Sequence, residues 1–536
     1  MKSTWFMIFL FAAMSVHAAF EMDKSVMSEG YWKIWNDQVQ SKIDADIEKY
    51  RKVDAVVELS AADGADVSVE QMTHAFYFGA NIFNYNQLGT KERNDRYKNL
   101  FGTLFNSGTV AFYWQPIEPF PYQLRFDQRY EDTELFWNAC MNPSEQPHWR
   151  RPPPDLVVSH LKARGCRIHG HPLVWGNLSQ NPRWIWDEFC PESEKEALEL
   201  RVGVKIPRRN TSLPLGRKDV EFINSWSKAW KQVFSKLTER EVADLVPSFV
   251  KAFDEAIERR IRTIGERYGS RIDSWDVVNE SASDWAHNAK RAWPKGESAA
   301  KNSQPLTISQ HYGVMPANYA YRSLQLAQKY MRSDAWLNIN EYNMEAFPGQ
   351  IRDLNASGVD FQIVGSQMHL FNPAESKAIA AGEFTDEVKT KLSPDGIWDT
   401  FAKVAAAGGG RRIHLSEVTI TAPDDTPKGQ MIQAIIMRNA YRIWFSIEKM
   451  NGITWWNVVD DCGSAGEPVK SGIFTRDMKP KAAYFAMDDL INREWKTRLT
   501  VKANDGKVSF RGFRGRYRLT WKNTDGTTAV KEIMVK

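Results

Sequence analysis

Apolar positions recur along this chain with two different periods, and the change of period divides it. Between residues 30 and 51, Trp32, Trp35, Val39, Ile43 and Ile47 are spaced by three and four, which predicts an amphipathic helix. Short runs with strand character follow at 55–59 and 67–71, separated by the turn-forming Ala-Asp-Gly-Ala-Asp stretch at 62–66. The far end has the same character. Residues 499–502, 508–511, 517–521 and 530–535 predict strands, with Asp505-Gly506 and Asp525-Gly526 as hairpin turns. Both ends are therefore β-rich, and the expectation is that they pair into one small accessory sheet.

The middle of the chain is more regular. Short apolar runs end in polar or aromatic residues eight times, at 74–83, 109–114, 166–175, 274–280, 336–342, 361–370, 412–420 and 453–460. Amphipathic helices separate several of them; the clearest sets Phe249, Phe253, Ile257, Ile261 and Ile264 on one face, just before the run at 274–280. Eight strands with intervening helices predict an α/β fold, a (β/α)8 TIM barrel with long loops at its C-terminal mouth. A doubly wound sheet is the competing fold, but no Gly-rich phosphate loop follows any of the eight runs. The polar, irregular segments at 176–220 and 281–313 read as rims or lids of a site. The expected organisation is a leader at 1–19, a helix and β accessory segment at 20–73, a catalytic barrel at 74–491 and a C-terminal β accessory segment at 492–536.

Composition narrows the class. Of the 536 residues, 43% are hydrophobic and 25% charged, which excludes wholesale disorder. Seventy basic against 66 acidic residues leave a formal charge of only +4, so no nucleic-acid or membrane partner is expected. Lys2, the apolar run from Trp5 to Met14 and the small-x-small Val16-His17-Ala18 read as an export signal. Ten apolar residues are too few to span a bilayer, so the expected location is exported, secreted or periplasmic. The cysteines Cys140, Cys166, Cys190 and Cys462 have no metal-ligand spacing; Cys140 with Cys190 is the pair to test first for a disulfide.

In a barrel, functional groups project from the C-terminal ends of the strands. Those ends carry His171 and Trp175 on the third, Asn279 and Glu280 on the fourth, and Tyr342 and Asn343 on the fifth. Gln367 and His369 end the sixth, Glu417 the seventh and Trp456 the eighth. Two carboxylates facing each other among amides and flat aromatic faces are what glycoside hydrolysis requires. One carboxylic acid protonates the departing oxygen; the other attacks the sugar or activates water. Asn279, Gln367 and His171 offer hydrogen bonds to sugar hydroxyls, and Trp175 and Trp456 offer apolar faces for a pyranose ring. No metal and no cofactor are expected, since no close-set ligand pair such as H-E-x-x-H occurs. Ser-His-Asp catalysis lacks a G-x-S-x-G elbow.

At these residues the chain resembles a known family. His169-Gly170-His171-Pro-Leu-Val-Trp175, Trp275-Asp-Val-Val-Asn279-Glu280, Asn340-Glu-Tyr342-Asn343, Gly365-Ser-Gln367-Met-His369-Leu and Leu415-Ser-Glu417 are similar to the signature strands of glycoside hydrolase family 10, the endo-β-1,4-xylanases. Gly452-Ile-Thr-Trp-Trp456 and Pro480-Lys-Ala-Ala-Tyr484 follow in the family's order, so the likeness covers roughly residues 74–491. The resemblance implies a retaining double displacement on a polysaccharide substrate, xylan or a related β-glycan. Glu280 would be acid/base and Glu417 nucleophile, about 5 to 5.5 Å apart. It implies sugar binding by Asn279 and His171, orientation of the carboxylates by Gln367 and His369, and a subsite lined by Trp175 and Trp456. Another β-1,4-glycan, an aryl-glycoside, or a carbohydrate-binding protein on the same barrel remain the alternatives.

Two departures from the family pattern matter. The acidic residue that usually lies two positions after the nucleophile is Thr419 here, so His369 should be less firmly held protonated. The usual Glu-Asn-x-x-Lys-Trp stretch at the second strand corresponds to Thr109-Val-Ala-Phe-Tyr-Trp114, anchored by Glu118-Pro119, with no Glu, Asn or Lys between Thr109 and Trp114. Phe112, Tyr113 and Trp114 are either core or a stacking surface. The expectation is weaker binding of an unadorned xylan backbone and a preference for decorated xylan.

Overall fold

The computed structural model describes residues 20–118, 121–126, 152–177, 182, 184–208, 220–289, 306–308, 313–464 and 466–536. The expected leader, Pro119, Cys140 with its suggested pairing, and much of both rim segments lie outside the described residues. Eight barrel strands run in chain order as Tyr77–Asn81, Ser107–Ala111, Arg167–His171, Ser274–Asn279, Trp336–Glu341, Ile363–Leu370, Arg412–Ile420 and Met450–Trp455. Each pairs in parallel with the next, and the last returns to the first at Gly452 opposite Tyr77, which closes the ring. Closure excludes the doubly wound alternative. Parallel strands covered on both faces must be apolar almost throughout; the fourth is buried at every position and the seventh at all but its first.

The helix predicted ahead of the fourth strand is Pro247–Tyr268, and it buries Phe249, Phe253, Ile257, Ile261 and Ile264. The third strand breaks at Pro172 and resumes as Val174–Trp175 against Val278 and Asn279. Strands three and four approach so closely that a Cβ at Gly170 would sit 2.3 Å from the Trp275 ring, so only glycine fits there. Among the described residues, no helix is long and apolar enough to cross a membrane.

The two chain ends meet, as expected, but as two sheets and not one. Lys52–Glu58 pairs antiparallel with Lys507–Phe513. Asp66–His74 lies between Arg498–Lys502 and Gly515–Lys522, with Thr528–Val535 on the outer edge. Each sheet has one apolar face, and a single layer would leave it wet. Val57, Val508 and Phe510 from one and Val67, Val69, Tyr517, Leu519 and Trp521 from the other share a core. The N-terminal helix is likewise divided, into Glu29–Ile34 and Asp37–Arg51. Asn36 causes the break: its side chain accepts from Val39 N–H at 3.0 Å and so begins a new helix.

Aromatic packing joins this sandwich to the barrel. Phe445, at the end of helix Pro427–Ser446, stacks on Trp495 with centroids 4.1 Å apart, and Trp495 stacks on Phe78 of the first strand at 5.5 Å. Arg51 donates to the carbonyls of Phe445 and Ile447 beside them. Removing the Phe445 ring leaves a cavity between two bodies that cannot both collapse into it. Phe445→Ala is expected to cost about 3–5 kcal/mol of unfolding free energy in urea titration, whereas loss below about 1 kcal/mol would mean that the interface contributes little.

Candidate active site

The C-terminal ends of strands three to eight converge on a polar cleft. Glu280 follows the fourth strand with φ of 54°, in the left-handed region that non-glycine residues rarely occupy. Its N–H donates to the Asn340 carbonyl at 2.8 Å, which holds that turn in place. Such backbone strain persists where surrounding contacts over-determine it, and it concentrates at functional positions.

Gln367 links the two carboxylates. Its Nε2 lies 3.2 Å from Glu280 Oε1 and 3.1 Å from Glu417 Oε1. These two oxygens therefore cannot be farther apart than the sum of those distances, which is less than the roughly 6.5 Å at which inverting pairs begin. The same nitrogen donates to Asn279 Oδ1 at 3.2 Å. Glu417, 4% exposed, also accepts from Asn340 Nδ2 at 2.7 Å, with His369 Nε2 at 3.3 Å and His171 Nε2 at 3.7 Å. Trp175 Nε1 donates to Glu280 Oε2 at 3.1 Å.

Electrostatics follow from burial. Burial pushes the Glu417 carboxyl up to about 8; the neighbouring Glu280 and Asp276 add to the rise, and His171 and the Asn340 amide oppose it. Burial also pushes His369 down to about 4, against the pull of Glu467 and Glu280, so the ring is neutral at neutral pH. Its Nδ1 meets Thr419 Oγ1 at 3.0 Å. When that hydroxyl donates to Nδ1, the single ring proton sits on Nε2, facing Glu417. Thr419 thus meets His369 with a hydroxyl and brings no charge to it.

Several residues that position the site escaped the strand-end reading. Asp276 lies inside the fourth strand and accepts from His171 Nδ1 at 2.7 Å, with His169 Nε2 at 2.9 Å. Burial alone would raise its pKa, but the two histidines hold it well below the usual carboxylate range. A carboxylate within a fully buried strand must be paired, and that was the available signal. Glu341 accepts from the N–H groups of Ala282 at 2.7 Å and of Tyr342 and Asn343 at 2.9 Å, tying the tops of strands four and five together. Burial pushes it, too, up to about 8.

The aromatic trio at the second strand divides. Phe112 packs on Trp275 and Tyr268, and Trp114 donates to Glu118 Oε2 at 2.9 Å, both away from the cleft. Tyr113 points into it, its hydroxyl 3.1 Å from His171 Nε2 and its ring against Trp175. Trp456 is 4% exposed, packed edge-on against His171 and Phe83. Tyr342 is half-exposed at the mouth, as is Phe371, which stacks on His369. Asn343 instead donates to Ser283 Oγ at 2.8 Å and accepts from Ala346 N–H at 3.1 Å, which makes it a loop anchor. Among the described residues, no group of three or more His, Cys, Asp or Glu is placed to hold a metal ion.

Fold and cleft together define a (β/α)8 barrel with two acidic side chains brought together at its C-terminal mouth. Residues 226–490 match the family model of glycosyl hydrolase family 10. Over just under half of its length the chain is thus similar to that family. It is 25% identical over 297 residues to endo-1,4-beta-xylanase C of Paenibacillus barcinonensis, covering 50% of this chain and 24% of that protein. It is 24% identical over 255 residues to endo-1,4-beta-xylanase B of Thermotoga neapolitana, covering 45% and 63%. The chain thus spans about a quarter of one curated relative and under two thirds of the other. The solved structure of native xylanase 10B from Thermotoga maritima aligns with a TM-score of 0.46 at 18% identity, over 78% of this chain and 96% of that one.

The raised carboxyls link stability to pH. The folded state binds protons at Glu417 and Glu341 up to about 8, where the unfolded chain has released them by about 4.5. Their contribution therefore opposes folding increasingly as pH rises between those values. Glu417→Gln should gain stability relative to the parent from pH 5 to pH 8, read as the difference in urea midpoints. An equal difference at both pH values would show that Glu417 does not titrate in that window.

Proposed function

We propose that the protein is an exported, retaining glycoside hydrolase that cleaves internal β-1,4-xylosidic bonds of xylan by double displacement. The observation that carries this reading is the single amide nitrogen of Gln367 shared by Glu280 and Glu417. Carboxylate oxygens bridged in this way lie below the separation at which inverting pairs begin, which supports direct attack on the sugar by one of the acids. Xylan as the substrate is supported by the family and by the names of the relatives.

Glu417 attacks and Glu280 serves as acid and base, the roles that the resemblance to the family assigns to their strand ends. Asn340, Gln367, His369 and His171 face Glu417, and His171 and Asn340 offset part of the rise that burial gives its pKa; Trp175 and Gln367 are among the groups that meet Glu280. In the first step Glu417 attacks the anomeric carbon while Glu280 gives its proton to the departing glycosidic oxygen, leaving a glycosyl ester on Glu417. Esterification removes the negative charge beside Glu280, so its carboxyl ionises more easily. In the second step Glu280 takes a proton from water, the hydroxide adds to the anomeric carbon, and Glu417 departs as a carboxylate. Through this cycle Asn279 and His171 bind hydroxyls of the cleaved sugar, Trp175 and Trp456 line its subsite, and Tyr342 offers a face at the mouth. Tyr113 is the polar contribution that the second strand makes in place of charged groups. Fewer charged contacts to the next sugar favour decorated over linear xylan.

A product profile over a panel of β-glycans tests the substrate, and an assay in azide tests the roles. Glu417→Ala should lose activity on every substrate by several orders of magnitude. Glu280→Ala should still glycosylate on activated aryl-xylosides and be rescued by azide as the glycosyl azide. Identical responses of the two variants to azide would overturn the division of roles, and binding without hydrolysis of any glycan would leave a carbohydrate-binding protein.

A further inference from the structure

A cavity of about 870 Å³ opens at the opposite end of the barrel, between the accessory sandwich and the N-terminal ends of the strands. Tyr77, Trp336, Arg412 and Met450, each the first residue of a barrel strand, form its floor. The cleft and this cavity share no residue, so catalysis gives no reason for its chemistry.

That chemistry is cationic. Five basic side chains line it, Arg51, Arg411, Arg412, Lys449 and Arg514, against two carboxylates, Asp360 and Glu448. Asp360 lies 3.7 Å from Arg411 and Glu448 lies 2.9 Å from Lys449. Arg51, Arg412 and Arg514 have no carboxylate partner among the described residues. Arg51 and Arg514 are held by backbone carbonyls instead. Burial, and then the neighbouring Arg514, push the Arg51 guanidinium down to about 9, and Glu448 offsets only part of that fall. Arg412 is exposed and lies 4.6 Å from the Trp336 ring centroid, and Arg167 lies 3.9 Å from the same centroid. The Arg167 Nε is buried with no hydrogen-bond partner.

Guanidiniums that lack a carboxylate partner, in an aromatic-walled cavity, select a carboxylate or another planar oxyanion. The volume is far larger than one inorganic ion needs and falls in the range of small-ligand sites. We propose that this cavity is a second, non-catalytic site that binds a carboxylated saccharide, a uronic-acid-bearing oligosaccharide of the kind an acid-substituted xylan contains. The choice of sugar rests on the function proposed above; the anionic character rests on the cavity alone. Arg412 provides the exposed charge at the entrance and Trp336 the wall beside it.

Calorimetry on the full chain carrying Glu417→Ala, titrated with a glucuronate-bearing xylo-oligosaccharide and with a neutral one of equal length, tests this. Two sites are expected for the acidic oligosaccharide and one for the neutral. Adding Arg412→Glu should weaken only the second site, at least tenfold, with Arg412→Gln intermediate. In the otherwise unaltered enzyme, Arg412→Glu should leave hydrolysis of the neutral oligosaccharide unchanged. A single site for both sugars, or a second site indifferent to Arg412→Glu, would overturn the proposal. Displacement by sulfate at the same concentration as the sugar would overturn the saccharide assignment and leave an anion site. If xylan is hydrolysed but stoichiometry stays at one, the cavity proposal alone fails. If no glycan is hydrolysed yet Arg412-dependent binding persists, the failure lies with the function proposed above.

Discussion

One amide nitrogen sets the terms for everything around it. Gln367 Nε2 has Glu280, Glu417 and Asn279 as acceptors at 3.1 to 3.2 Å. Two carboxylates in that arrangement cannot both carry full charge cheaply, so one proton between them is the low-energy state of the empty cleft. Retention of configuration needs that same distribution, one acid ionised and one protonated. Strands four, six and seven must hold their ends in register to within a fraction of an ångström for the arrangement to exist, and the closed barrel supplies that rigidity.

A second layer keeps the two acids oriented. Asp276 fixes His171 through Nδ1, Tyr113 meets its Nε2, and Thr419 meets His369 Nδ1. Asn340 holds Glu417 and Asn279 together, and accepts from the Ser416 hydroxyl. Glu341 binds three backbone N–H groups next to the strained Glu280. These groups are paired and, His369 apart, buried, which is why a polar cleft can exist in so apolar a barrel.

Much of this was legible beforehand for a physical reason. Strands buried on both faces are written as short apolar runs, and polar residues that end several such runs at one mouth point to a shared site. Glu280, Glu417, Gln367 and His369 stand out on that ground. Asp276, Asn340 and Glu341 did not, because they lie within strands where polarity reads as noise until the neighbour across the sheet is known. Tyr113 was ambiguous for the opposite reason: Phe112, Tyr113 and Trp114 are equally apolar by composition, and only the twist of the second strand decides which faces the cleft. The accessory strands were visible from their turns, but two sheets and one look alike until register is known.

The central claim is that Glu417 forms the bond to the sugar and Glu280 does not. A 2-deoxy-2-fluoro-β-xylobioside with an activated leaving group slows both steps but leaves glycosylation the faster, so the ester accumulates. Mass spectrometry of the labelled protein, with peptide mapping, should find one fluoro-xylobiosyl group per chain, attached to Glu417. Attachment to Glu280, or release of the leaving group with no label retained, would contradict the assignment of the nucleophile.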